Sequence, residues 1–299
     1  MRMDLSIAGQ QFSLLENFKD DTRLRASFNA LTHQTFEFDF EQWYQDGYWG
    51  EGYQPWALAH DGRIVANISV NLMHFDVLGE PRRGIQLGTV MVAPEYRGQG
   101  LSRVLLERVL DRWQGQCELV YLFANDTVLD YYPKFGFARV LEHEYSASLT
   151  PADRPCSFNR VDMDDLLERQ RFISAVDSAV PVARLAMRSN PDQTMFYCTS
   201  FFKDCVHYSP ALQAYVVMEI VDGVMTLYEV FARRALDLQA LIAELSTPQT
   251  TRVVLGFAPL DSSGFEVQPL VSDDSLFVLG QAGQFIEDAR LMFPLLSHA

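Results

Sequence analysis

Three observations predict an α/β chain of α+β character, built in two halves. β-type runs come in pairs, joined at Asp61-Gly62 and again at Asp222-Gly223, both good hairpin signals. Each pair is followed by a helical stretch and an apolar run of strand length, an order that gives mixed sheets covered by helices. The 299 residues also exceed one ordinary domain. The stretch SLTPADRPCS, with two prolines and small polar residues, is the natural boundary. It divides the chain into halves at 1–149 and 158–299.

Along the first half, Leu24, Phe28, Leu31 and Thr35 fall at helical spacing, with Asp20 or Asp21 as N-cap. The first fifty residues therefore read as helical and then irregular, with a second short helix over Asp39 to Tyr48. From PWALAH onward the period changes to two. Ile68, Val70 and Leu72 take one strand face, and Asn67, Ser69 and Asn71 the other. A third run, GIQLGTVMVA, stops at Pro94, which cannot donate to a ladder. Leu101, Val104, Leu105, Val109 and Trp113 then make the apolar stripe of a helix, with Arg103 and Glu107 paired on its other side. CELVYLFA reads as a strand, TVLDYYPKFG as short and helical, and FARVLEHEYSASL as a last strand or strand pair. In the second half, helices are expected around Asp164–Ile173 and Val182–Met187. The hairpin, the helix LDLQALIAEL and the strand RVVLGFAP follow as a weak repeat of the first half.

Composition excludes several classes. Hydrophobic residues make up 48% and charged residues 21%, the balance of a globular protein. Acidic residues outnumber basic ones 39 to 24, a formal charge of -15 spread over both halves. With no basic footprint a nucleic-acid partner is not expected, whereas a cation is drawn into such a field. The start MRMDLSIAGQQF has no apolar core of a signal peptide, and no run approaches the roughly 18 apolar residues of a membrane helix. A cytoplasmic protein with no membrane partner is expected, and homo-oligomerisation stays open. The cysteines Cys117, Cys156, Cys198 and Cys205 have no zinc-ligand spacing, so neither a metal nor a disulfide framework is expected.

Chemistry concentrates in Val90 to Arg103, VMVAPEYRGQGLSR. A strand ends at a proline, a loop holds two glycines, and a helix starts at once. The first-turn N–H groups then lack intrahelical partners, with the positive end of the helix dipole behind them. Gly98 and Gly100 allow positive φ and a close backbone approach, and Arg97 and Arg103 add charge. This is a plausible cradle for a pyrophosphate. Glycine would be needed at Arg103 for the dinucleotide fingerprint.

The pattern Arg97-x-x-Gly100-x-Ser102 resembles the acetyl-CoA motif of the GNAT N-acetyltransferases, Gln/Arg-x-x-Gly-x-Gly/Ala, with Ser102 departing at the last position. A second block, NDTVLDYYPKFGF over Asn125 to Phe137, is similar to the family's Asn-x-x-Ala-x-x-Phe-Tyr-x-Lys-x-Gly-Phe. There Val128 replaces alanine and Tyr131 replaces phenylalanine. The resemblance implies a GNAT fold with a mixed central sheet, followed by a second, degenerate GNAT-like half, as in the tandem layout of mycothiol synthases and Eis-type aminoglycoside acetyltransferases. It implies acetyl-CoA as cosubstrate. Its pantetheine arm would lie along Val90, Met91 and Val92, and its pyrophosphate on Gly98, Gln99, Gly100, Leu101, Ser102 and Arg103 beside Arg97. Asn125 would contact it, and Tyr132 would protonate the departing thiolate. A phenol with pKa near about 10 holds its proton at neutral pH and can do so.

The general base is not legible: Glu37, Asp39, Glu41, His74, Glu142, His143 and Glu144 all have ordinary structural readings. Arg233 and Arg234 stand where the second half lacks a glycine cradle and read as a solvated helix start. The C-terminal carboxylate of Ala299, behind an apolar tail and His298, is a further candidate for the site, since in Eis-type enzymes that carboxylate reaches the active centre. The expected function is acetyl transfer to a primary amine of a small cationic molecule, such as a polyamine or aminoglycoside, by direct attack in a ternary complex. A protein lysine or N-terminal acetyltransferase and a non-catalytic acyl-CoA sensor are the alternatives.

Overall fold

A computed structural model of the chain describes residues 2–113, 115–151, 153 and 156–298. It opens with a hairpin, β1 (Arg2–Ile7) and β2 (Gln10–Glu16), where the sequence reading has helix or irregular chain. The signal was there: Met3, Leu5 and Ile7 alternate with polar residues, and Ala8 and Gly9 turn the chain with positive φ.

Helix α1 (Thr22–Phe36) starts where expected, with the Asp21 carboxylate accepting from Arg23 and Leu24 N–H. Arg25 reaches from α1 to Glu41 of α2 (Glu41–Gln45), Nε to Oε2 at 3.0 Å, and Asn29 Nδ2 donates to the same oxygen at 2.9 Å. This network fixes the aromatic loop between the two helices. The strands β3 (Tyr53–His60), β4 (Arg63–Val77) and β5 (Glu80–Val92) then form an antiparallel meander. Helix α3 (Leu101–Trp113) crosses over to β6 (Leu119–Asn125), which runs parallel to β5. Leu101, Leu105, Leu106 and Val109 of α3 enter a core shared with α1 and the sheet.

Two short strands follow, β7 (Phe137–Val140) and β8 (His143–Ser148). After the two-residue β9 (Asn159–Arg160) comes α4 (Leu166–Asp177), capped by Asp165. Val182–Met187, expected as helix, instead contains β10 (Leu185–Met187), paired with Phe75–Val77 of β4. Periodicity cannot separate helix from strand in so short an apolar run, and an available sheet edge decides it. Helix α5 (Pro191–Cys198) precedes β11 (Val206–Ser209) and the hairpin β12 (Ala214–Val221) and β13 (Val224–Ala232). Helix α6 (Leu238–Leu245) connects to β14 (Arg252–Leu255), parallel to β13. The chain finishes with β15 (Glu266–Pro269), β16 (Asp274–Leu279), α7 (Gln284–Asp288) and a 3-10 turn at Leu295–Ser297.

These strands make two sheets, and each half lends strands to the other's sheet: β10 and β16 from the second half, β8 from the first. The first runs β1-β2-β3-β4-β5-β6-β16-β7, with β10 beside β4, so late β16 sits between two early strands. The second runs β15-β8-β14-β13-β12-β11-β9, so early β8 sits among late ones. A continuous core joins the sheets: Phe75 and Tyr121 of the first share it with Leu227 and Leu255 of the second. Among the described residues no helix is long and apolar enough to cross a membrane.

Candidate active site

The parallel pair β5 and β6 does not stay together. It is in register from Gly84 opposite Leu119 to Gln86 opposite Tyr121 and no further. Beyond that point β6 is held from its other side by β16, while β5 stays with β4. The strands splay, so the β6-facing edge of β5 from Leu87 onward has no ladder partner among the described residues. A bulge adds to this: Asn67 pairs with Met91 and Ser69 with Gly88, which leaves Thr89 and Val90 opposite Ile68 alone. Thr89 takes a positive φ of 48°, uncommon for a β-branched residue.

The polar face of β4 holds this bend. It is buried, and Asn67 Nδ2 donates to the Thr89 carbonyl at 3.0 Å and to Ser69 Oγ at 2.9 Å. Ser69 Oγ donates to the Tyr53 hydroxyl at 2.8 Å, which in turn lies 3.0 Å from Thr89 Oγ1.

The splay opens into a cavity of about 1070 Å³, the size range of a cofactor or ligand site. Of the residues expected to hold a donor, Val90, Met91, Val92, Arg97, Ser102 and Asn125 line it, and so does Tyr132. Gly98, Gln99, Gly100, Leu101 and Arg103 are not among its lining residues. Leu101 points into the core instead, and Arg103 pairs with Glu107 at 3.5 Å. Gly98 and Gly100 have φ of 76° and 82° with nothing within 4 Å of a Cβ position, so the loop presents open backbone. Val104 N–H is bonded to the Gly100 carbonyl, and the N–H groups before it lack intrahelical acceptors.

Two neighbouring tyrosines have different tasks. Tyr131 donates to Ser102 Oγ at 2.9 Å, tying the second sequence block to the first turn of α3. Tyr132 is buried between Phe137 and Phe277, and its hydroxyl has no hydrogen-bond partner among the described residues. Burial, with Tyr131 beside it, raises its pKa, so the phenol keeps its proton. Asn125 Oδ1 is engaged with Thr127 N–H and hydroxyl, which shapes the rim where β6 ends.

None of the seven side chains considered as a base lines the cavity. Glu41 is committed to Arg25, whose hydrogen bond holds its carboxyl below the usual range. Glu142 is buried elsewhere, accepts from Phe293 N–H at 2.8 Å, and is pushed up to about 7 by burial. The sequence reading considered the tail at His298 but did not name Asp192, Gln193, Phe196 and Tyr197 of α5, and all five line the cavity. No local pattern marks them, because folding alone brings α5 to the mouth of the first sheet. Ala299 lies outside the described residues. His298 stacks on Phe123 with ring centroids 3.7 Å apart, and its carbonyl accepts from Gln193 Nε2 at 3.0 Å and Tyr197 hydroxyl at 2.5 Å.

The second half repeats the geometry and fills the gap. Strands β13 and β14 are parallel from Val224 opposite Arg252, and β13 carries a bulge where Val217 faces Glu229 and Met218 faces Leu227. Here the C-terminal segment moves in: Leu295 N–H donates to the Gly256 carbonyl at 3.0 Å, and Leu296 is fully buried. Gly256 packs so tightly on β13 that a Cβ would lie 2.9 Å from Tyr228 backbone. Arg233 is hydrogen-bonded to Ser174 and Ser178 at the end of α4.

Residues 23–140 match the family model of the acetyltransferase (GNAT) domain. A search of curated proteins by sequence finds no match. Among solved structures, a probable N-acyltransferase of Enterococcus faecalis V583 superposes with a TM-score of 0.59 at 15% identity, over 92% of this chain and 74% of that one. A GCN5-related N-acetyltransferase of Kribbella flavida gives 0.56 at 18% identity, over 89% and 70%. Eis1 of Mycobacterium abscessus gives 0.55 at 14%, over 84% and 70%. At such identities the likeness is one of fold, and it extends through both halves. Residues 23–140 are thus similar to a GNAT acetyltransferase domain, and the chain as a whole shares the fold of these solved structures.

Proposed function

We propose that the protein transfers an acetyl group from acetyl-CoA to a primary amine of a small molecule, by direct attack with donor and acceptor bound together. One observation carries this reading: the splayed edge of β5 and the Tyr132 phenol face one cavity. The residues fit the donor, with an unpaired strand edge for its amide-bearing arm, open glycine backbone and a helix start for its phosphates, and Arg97 at the rim. When bound, acetyl-CoA supplies an acetyl group activated as a thioester. The chain would supply the surroundings: N–H groups on the β5 edge to donate to the carbonyl oxygen as charge gathers there, and the Tyr132 proton for the leaving sulfur, while the proton lost by the attacking nitrogen passes to water. None of the four cysteines lines the cavity, which favours direct attack over an acyl-enzyme. Walls from both halves favour a small acceptor over a peptide.

The test combines binding and turnover. Acetyl-CoA at 100 times its dissociation constant adds about 2.7 kcal/mol, a shift of several degrees in melting temperature. Tyr132→Phe is expected to keep that shift and to lose about 10²- to 10⁴-fold in turnover. Wild-type turnover in the variant would remove Tyr132 from the mechanism; no shift in the wild type would remove acetyl-CoA.

A further inference from the structure

The acceptor side of the cavity differs from what a polycation needs. Its walls are aromatic and come from both halves. Phe38 and Phe40 of the α1–α2 loop meet Phe196 of α5 with centroids 5.8 and 5.3 Å apart, and Trp43 meets Phe196 at 5.7 Å. Asp192 stands in this wall, half-buried. Its carbonyl accepts from Trp43 Nε1 at 2.9 Å, and its carboxylate lies over Gly50, where Oδ2 would be 2.2 Å from a Cβ. Among the described residues no side chain pairs with that carboxylate. Lys19, whose charge is felt at Asp192, is itself held by Glu51 at 2.8 Å and by the Trp49 carbonyl at 3.1 Å, and Asp177 adds negative charge from α4. A carboxylate withdrawn from water beside aromatic faces, with no partner, is a place for one ammonium group.

We propose that Asp192 and the surrounding rings select acceptors with a single ammonium on an aromatic or apolar body, rather than polyamines or aminoglycosides. This rests on the acetyltransferase reading above. The Asp192 carboxylate receives the ammonium as the amine enters, and the rings take up the body. The other carboxylate lining the cavity, Asp274, stands opposite Asn125 at the end of β6, away from these rings, so a chain of further ammonium groups beside Asp192 would have to lie against phenyl faces, losing its hydration. A side chain at Gly50 would push the carboxylate out of this place.

The experiment measures turnover of 2-phenylethylamine, hexylamine, spermidine and kanamycin by CoA release. It also measures 2-phenylethylamine binding by tryptophan fluorescence in the presence of CoA. The expected result is a kcat/KM for 2-phenylethylamine at least about tenfold above that for spermidine or kanamycin. Asp192→Asn should raise its KM about tenfold or more, with little change in kcat or in KM for acetyl-CoA. Phe196→Leu, which keeps the carboxylate, should lower the preference for the aromatic amine over hexylamine; melting curves confirm that both variants fold. Preference for spermidine or kanamycin, or an unchanged KM in Asp192→Asn, would overturn the assignment while leaving acetyl transfer standing. Binding of 2-phenylethylamine that Asp192→Asn abolishes, with no amine turned over, would overturn the transfer reading and uphold the chamber.

Discussion

Ser102 and Tyr131 are the two places where the motifs depart from the family pattern with a change of polarity, and the fold brings them together at 2.9 Å. A small apolar residue opposite phenylalanine would leave a plain van der Waals contact. Here both sides gain a hydroxyl, and the hydrogen bond satisfies each where burial would otherwise penalise it. The pair locks the Tyr131–Phe135 turn onto the start of α3 and so aims Tyr132, its neighbour, at the cavity. A double-mutant cycle measures this. Ser102→Ala and Tyr131→Phe are each expected to cost about 1 kcal/mol, and the double variant little more than either one, a coupling of about 0.5–1 kcal/mol. Strict additivity in urea unfolding would mean that the two departures are independent. That Val90, Met91, Val92, Arg97, Ser102, Asn125 and Tyr132 share one cavity was legible for a simple reason: they lie within two contiguous blocks, and strand, loop and helix grammar places them. The place of Asp192 in that cavity was not, because it and His298 come to it from elements remote in sequence. The net charge of -15 favours a cationic acceptor, and which acids share a cavity with aromatic rings is a local matter that net charge does not carry.

At the scale of elements, the bulge in β5 decides whether there is a site at all. A regular ladder would carry β5 straight along β4 and keep its far edge close to β6. Thr89 at a φ of 48° stores local strain, of order 1–3 kcal/mol for such a backbone. The surrounding network of Asn67, Ser69 and Tyr53 offsets it. The alternation in β4 was readable, and the polar set Asn67, Ser69, Asn71 was rightly separated from Ile68, Val70 and Leu72. That the polar face would be buried was not readable, since alternation alone does not say what covers each face. Tyr53→Phe removes one hydroxyl that serves both Ser69 and Thr89. It is expected to lower stability by about 1–3 kcal/mol and to weaken acetyl-CoA binding as the bulge loosens. A melting temperature and an acetyl-CoA affinity both equal to wild type would show that the bulge is set by the backbone without the network.

At the scale of the molecule, the exchange of β8 and β16 makes the halves interdependent. The order of elements along the chain suggested a division at 1–149 and 158–299, and the repeat of hairpin, helix and parallel strand is visible in both sheets. Pairing between strands this remote in sequence, as Asp274 with Asn125 or Arg252 with Ser148, leaves no trace in local periodicity, so the exchange was out of reach. Its consequence is physical. Without β16, the run from Tyr121 to Asn125 loses its antiparallel partner, and β6 presents an unpaired edge just where it should wall the cavity. Phe277 of β16 also packs on Tyr132 with centroids 5.9 Å apart. We therefore expect a fragment of residues 1–149 to aggregate or remain partly unfolded, and to show no stabilisation by acetyl-CoA. Adding residues 158–299 as a second chain should restore both solubility and the thermal shift, because the exchanged strands supply the missing ladders. A 1–149 fragment that is monomeric by size exclusion, melts cooperatively and binds acetyl-CoA like the whole chain would show that the donor site needs nothing from the second half. The exchange would then serve the acceptor side alone, through α5 and the tail.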